Sequence, residues 1–203
     1  MTDATKGSRR LQVGDIADLR EYEREREATR ARVMALKERR RVHLGPIMTL
    51  TFENRETVRY QVQEMARAEK LISDAEIQGE LDAYNPMIPE PGQLCATLFL
   101  ELTTDDQLRE WLPKLVGIER SLQFRLPDSQ AVRSASEEQH ARQLTREHVT
   151  AAVHYVQFDF TPAQVTAMAT GEVVFESVHP EYPWSTRLGA ETLEELRGDL
   201  GAA

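Results

Sequence analysis

Five side chains in this sequence have the chemistry to form a reactive site: Glu53, Arg55, Glu69, His154 and His179. Carboxylates, a guanidinium and imidazoles can bind an anion, move a proton or hold a metal. Glu53 and Arg55 flank Asn54 at the start of a helical stretch, "FENRETVRYQVQEMARAEK". There they either form a local salt bridge and cap, or offer a cation to an anionic ligand at a helix N-terminus. Glu69 is placed oddly. With Val58 at zero on a helical wheel, Val62 lies at about 40°, Met65 at about −20° and Ile72 at about −40°, which marks the buried stripe. Glu69 falls at about 20°, inside that stripe, and near the helix C-terminus, where the dipole disfavours a carboxylate. Either the helix ends early and Glu69 reaches water, or it has a basic, polar or metal partner. Arg55 lies at about 60° on the same wheel but roughly 21 Å along the axis from Glu69, out of reach.

His154 shares an alternating face with Val156, Phe158 and Phe160. It is either a hydrogen-bonded core histidine or an acid–base or metal-ligating one. His179 precedes Pro180 in "HPEYPW" at a strand end. If Glu53, Glu69, His154 and His179 converged, they would offer the mixed nitrogen and oxygen ligands that iron or manganese accepts, with Glu69, His154 and His179 the metal candidates. No close-spaced ligand pair marks such a site, and no cofactor is indicated. His140 and His148 fall in a polar segment and are expected in solvent. Tyr60, Glu64 and Arg67, with Arg59, Gln63 and Lys70, occupy the polar half of the same helix. Glu64 and Arg67 are spaced to pair on its surface, for about 0.2–0.5 kcal/mol.

Several elements must position these groups. Ile16, Leu19, Tyr22, Thr29, Val33 and Leu36 have helical spacing, predicting a long N-terminal helix over 15–41. Its acidic residues come early, and Arg39, Arg40 and Arg41 come late, as the dipole favours. That basic end is either an exposed terminus or a grip for an acidic partner or phosphate. Gly45-Pro46 breaks the helix. Alternation then predicts strands around Met48–Phe52, Leu94–Leu102, Leu122–Leu126, Ala152–Phe160 and Val173–Ser177. Ser73 and Glu76 form a capping box, as do Thr161 and Gln164, with Pro162 at the first helical position. Segment 128–148 reads as a polar loop. The fold expected is α+β: a mostly antiparallel sheet of about five strands, helices packed mainly on one face, and the long charged N-terminal helix. Residues 1–14 read as a mobile tail and 15–200 as one domain.

Composition narrows the function. The net charge of −9 disfavours a general nucleic-acid binder. A single cysteine, Cys95, allows no internal disulfide and fits a reducing, cytoplasmic setting. The longest apolar run, around "LCATLFLEL", is too short to span a bilayer. No glycine-rich phosphate loop, GxSxG or HExxH occurs, which disfavours nucleotide enzymes, serine hydrolases and zincins.

"FENRETVRYQVQEMARAE", "ELDAYNP", "LVGIE", "AVHYVQFDFTPAQ" and "HPEY" occur in this order. Together they resemble an uncharacterised bacterial family, domain of unknown function 3501, over roughly residues 11–198. The matching polar positions are Glu53, Asn54, Arg55, Tyr60, Glu64, Glu69, Tyr84, Asn85, Glu119, His154 and His179. The resemblance implies an accessory role in bacterial redox or peroxide defence, beside rubrerythrin-like or iron–sulfur oxidoreductase proteins. Two readings follow. The first is an accessory protein that docks a redox partner through Arg39, Arg40 and Arg41 and the face of Tyr60, Glu64 and Arg67; a homo-oligomer is compatible with it. The second is a small enzyme or metal-binding protein with Glu53, Arg55, Glu69, His154 and His179 around one pocket.

Overall fold

Asp18 accepts hydrogen bonds from the N–H groups of Arg20 and Glu21, 2.9 Å each. That cap starts helix α1 (Leu19–Arg39), whose buried residues are Tyr22, Val33 and Leu36. The computed structural model describes residues 9–128, 130–136 and 149–201, and the chain forms two compact units. One comprises Met1–Glu38 and Glu53–Glu90; the other comprises Arg39–Phe52 and Pro91–Ala203.

The first unit is helical. Asn54 caps α2 (Arg55–Glu69), accepting from the N–H groups of Glu56 and Thr57 at 3.0 Å each. The predicted box of Ser73 and Glu76 opens α3 (Asp74–Tyr84). Two side-chain amides hold the segment before α1. Asn85 accepts from the N–H of Leu11 at 2.8 Å and donates to its carbonyl at 3.0 Å. Gln63 does the same for Ala17, at 2.9 and 3.0 Å. An amide that pairs with both backbone groups of one residue replaces a strand neighbour. Gln63 is accordingly buried, although the wheel put it on the solvated half. Of the stretch read as a tail, residues 1–8 lie outside the described residues, while Leu11 is buried.

The second unit is built on eight strands: β1 (Arg41–Leu44), β2 (Met48–Glu53), β3 (Gln93–Leu100), β4 (Leu122–Arg125), β5 (Ala131–Ser136), β6 (Val153–Asp159), β7 (Val174–Ser177) and β8 (Ser185–Arg187). They form one antiparallel sheet in the order β1-β2-β3-β6-β5-β4-β7-β8, and β1 returns to β7 and β8 in a nearly closed barrel. Helices α4 (Asp105–Lys114), α5 (Pro162–Ala169) and α6 (Ala190–Leu200) complete it. Thr161, Pro162 and Gln164 start α5 as predicted.

Four phenylalanines fill the interior: Phe52 on β2, Phe124 on β4, Phe158 on β6 and Phe175 on β7, none with any exposed surface. Phe52 lies 5.7 Å from Phe124 and 6.0 Å from Phe175, centroid to centroid. Three strands separate β2 from β4 in the sheet order, so these rings meet across the barrel. A small barrel filled this way is a packed core.

The expected five-strand sheet with helices mainly on one face is therefore incorrect. Its five strands correspond to β2, β3, β4, β6 and β7; β1, β5 and β8 were missed. The predicted helix ran to 41 and took in the first residue of β1, and the three residues left before the Gly45-Pro46 turn are too few to announce a strand; α1 ends at Arg39 and the backbone is extended from Arg41. β5 reads AVRSAS and buries only Val132 among its side chains, so its apolar signal is one residue long. It lies inside the segment 128–148 expected to be a loop; 137–148 lie outside the described residues. β8 is three polar residues, STR. β2 has no wet face: all six of its residues are buried, with Thr49 and Thr51 among them, whereas β6 and β7 alternate buried with partly exposed residues.

The barrel's open edge is held by side chains. The Tyr182 hydroxyl donates to the Leu44 carbonyl at 2.7 Å and accepts from the N–H of Ile47 at 3.1 Å. Trp111 stands edge-on to Tyr182 at 6.1 Å, and Trp184 packs onto Gly45 in the β1–β2 turn. Arg40, fully buried, donates to the Phe52 carbonyl at 2.8 Å and to Glu195 at 3.1 Å, and pairs with Asp199.

Candidate functional site

The charged face of α2 is engaged within its own unit. Arg26 of α1 grips Glu64 with two donors, at 2.9 and 2.8 Å, and the Tyr22 hydroxyl donates to the same carboxylate at 2.6 Å. Arg26 foremost, and then Tyr22, hold the Glu64 carboxyl below its usual range against the effect of burial. Arg67 pairs with Glu23 of α1, not with Glu64 as its spacing suggested. Tyr60 is half-buried, and burial followed by the Glu64 charge pushes its phenol up. So Tyr60, Glu64 and Arg67 all face α1. The cleft beside them, lined by Tyr22, Arg32, Glu56, Arg59, Tyr60 and Gln63, holds about 50 Å³, far below the 300–1,000 Å³ typical of ligand sites.

The basic run at the end of α1 divides three ways. Arg39 pairs with Glu195 at 2.8 Å, Arg40 is the buried anchor described above, and Arg41 is exposed on β1 opposite Thr51. At the α2 junction, Glu53 accepts a hydrogen bond from the Thr57 hydroxyl, and Arg55 pairs with Asp15 at 2.7 Å. Glu53 and Arg55 thus turn to different local partners.

Glu69 is exposed, as the last residue of α2. Lys70 takes the left-handed conformation (φ 58°), and the N–H of Leu71 returns to the Ala66 carbonyl at 2.9 Å. This Schellman closure ends the helix before Ile72, where the wheel had continued it, and releases Glu69 to solvent. Early termination, not a buried partner, accounts for Glu69.

The second unit holds both singled-out histidines. His154 on β6 is 3% exposed and lies opposite Leu98 of β3. Its Nε2 is 2.9 Å from the Ala151 carbonyl and 2.9 Å from the Thr150 hydroxyl oxygen. A carbonyl only accepts, so we assign the proton to Nε2, which then cannot act as a base toward Thr150. Burial holds the His154 pKa below its usual value, and the charge of Glu119 opposes that effect. Glu119 itself is 4% exposed, and its Oε2 has no hydrogen-bond partner among the described residues. Glu119 stood out in the sequence only as a family-matched position; nothing in the local pattern marked it as buried. His179 is also buried: Nε2 lies 3.2 Å from the Val116 carbonyl, and Nδ1 accepts from the N–H of Glu181 at 3.3 Å. Both imidazoles are thereby tied to backbone. Among the described residues, no three His, Cys, Asp or Glu side chains converge on a metal-sized site.

A wider opening lies in the helical unit: a groove of about 430 Å³ lined by Val13, Ile16, Leu19, Ala66, Leu71 and Ile77, with Ile72 at its rim. Asp18, Arg20 and Asp74 edge it. Ile72 is 82% exposed, the most solvent-facing large aliphatic residue among those described. On the helical wheel Ile72 falls inside the buried stripe, so the periodicity alone gives no sign of the groove. The signal available was the short link "LIS" between two capped helices.

The class is now defined: an α+β protein with a helical unit carrying an apolar groove, and a barrel unit packed with aromatic side chains. The family called protein of unknown function (DUF3501) matches residues 10–200, and the chain belongs to it. A crystal structure of a novel protein of unknown function from Burkholderia pseudomallei is similar, with a TM-score of 0.86 and 35% identity over 94% of this chain and 98% of that one. No curated protein matches the chain.

Proposed function

We propose that this protein acts by docking a protein partner, as an accessory component, and not by transforming a substrate. The observation that carries the reading is the open apolar groove with Ile72 at its rim. An aliphatic side chain this exposed beside a groove of ligand-site size is a surface shaped for contact. The barrel supports the reading from the other side, because its interior is filled by phenylalanine rings. The redox setting implied by the family resemblance supplies the partner class to try first: a rubrerythrin-like or iron–sulfur protein.

A photo-crosslinking residue at position 72, in the full chain expressed in its native host, tests this. One dominant adduct from position 72, absent when the same residue stands at the exposed position 191, is the expected result. An iron-containing protein in that adduct supports the redox assignment. No adduct at 72, or the same adducts from both positions, overturns the docking reading.

A further inference from the structure

We infer that the occupant of the groove is an amphipathic helical segment whose polar edge is basic. The inference rests on the docking reading and adds the chemistry of the partner. One wall of the groove is the start of α3, which contributes Asp74 and Ile77. Helix α3 carries Asp74, Glu76, Glu80 and Asp82 and no lysine or arginine. Glu69, exposed at the end of α2, adds to this charge, and it lies close enough to act on Glu80: burial first, and then the Glu69 charge, push the Glu80 carboxyl up. Lys70 is the single cation between Glu69 and Tyr84. Among these groups, Glu76 is committed to the Ser73 cap and Asp82 accepts from Gln78 at 2.7 Å. For Glu80 and Glu69, an incoming cation would relieve like-charge repulsion, and Asp74 adds a carboxylate at the groove itself.

The opposite edge differs. Asp18 is used to cap α1, and Arg20 stands exposed beside it. The charged lining of the groove is therefore asymmetric: Asp74 stands on the α3 edge with the other α3 acids outside the lining, while Asp18 and Arg20 offset one another on the opposite edge. Its floor of Val13, Ile16, Leu19, Ala66, Leu71 and Ile77 suits the i, i+3, i+4, i+7 side chains of a bound helix. The asymmetry sets direction: lysines or arginines of the partner run along α3, and any acidic residue meets Arg20.

Three synthetic helical peptides with one leucine pattern, and lysine, glutamine or glutamate on the polar face, test this by fluorescence anisotropy with the full chain. The lysine peptide is expected to bind about tenfold more tightly than the glutamine peptide, and the glutamate peptide more weakly still. The preference should shrink in Glu69→Gln/Asp74→Asn/Glu80→Gln and as salt is raised. Ile72→Asp, a change at an exposed position, should abolish all binding. Equal or reversed preference among the peptides, or a preference unchanged by neutralising α3, overturns the basic-helix inference while leaving docking in place. Peptide binding that ignores Ile72→Asp removes the groove as the site. A dimer of this chain that dissociates in Ile72→Asp makes a second copy the occupant and overturns the inference.

Discussion

His154 is a buried imidazole whose neutral form is favoured by burial, with the Glu119 charge partly offsetting it. The sign of its linkage follows. The folded protein binds fewer protons at this site than the unfolded chain once the pH drops below the free value of 6.5, so stability falls with acidification from 6.5 down through the lower folded pKa. Urea midpoints measured on both sides of pH 6.5 should show a drop that is smaller in His154→Gln. In Glu119→Gln the imidazole should titrate lower still, readable from its ring protons by NMR, because the opposing charge is gone. Arg40 is the converse case. Burial alone would raise the Glu195 carboxyl, and the guanidiniums of Arg39 and Arg40 bring it below its usual range. Removing a buried partner leaves a charge uncompensated, so Arg40→Met should cost about 3–5 kcal/mol in denaturant unfolding. Adding Glu195→Gln and Asp199→Asn should recover part of that loss. The buried, hydrogen-bonded state of His154 was one of the two readings its apolar strand face offered; the role of Arg40 was not legible in the sequence. Arg39, Arg40 and Arg41 look alike as a basic run, and only the turn from helix to strand sends the middle one inward.

At the scale of elements, the alternating segments announced themselves and the short polar ones did not. β3 and β6 are long and carry apolar residues at every second position, so the sequence placed them well. β1, β5 and β8 exist because their neighbours in the sheet offer ladder partners, as Val132 opposite Phe124 and Thr186 opposite Phe175 illustrate; that is tertiary context overriding local composition. The helix caps were readable because a cap is a local hydrogen-bond exchange between residues three apart. The groove was not, since it depends on where α2 stops, and a left-handed lysine at that stop has no strong sequence signature. The β1–β2 turn gives a sharp test. Gly45 has φ +66°, and a Cβ there would lie 2.6 Å from the Tyr182 hydroxyl oxygen and 2.7 Å from the Trp184 ring. Gly45→Ala should destabilise the barrel unit by at least the left-handed penalty of about 1–2 kcal/mol, measured as a lower chemical midpoint. Gly14→Ala, with nothing within 4 Å of the added carbon, is the control.

At the scale of the molecule, the chain divides its labour between a helical unit that presents an apolar surface and a barrel unit that closes on its own aromatic rings. Family membership and the fold carry no reaction with them, since function resides in sites grafted on folds. The two units also differ in what light they absorb and emit. Both tryptophans of the chain, Trp111 and Trp184, belong to the barrel unit and contact Tyr182 at its open edge. The helical unit has none. Tryptophan emission is thus a built-in reporter on that edge alone, while α1, α2 and α3 contribute more helical residues to the far-ultraviolet dichroism than α4, α5 and α6. Recording both signals in one denaturation series reads each unit without any label, and the separation between the two curves measures how tightly the units are coupled in unfolding.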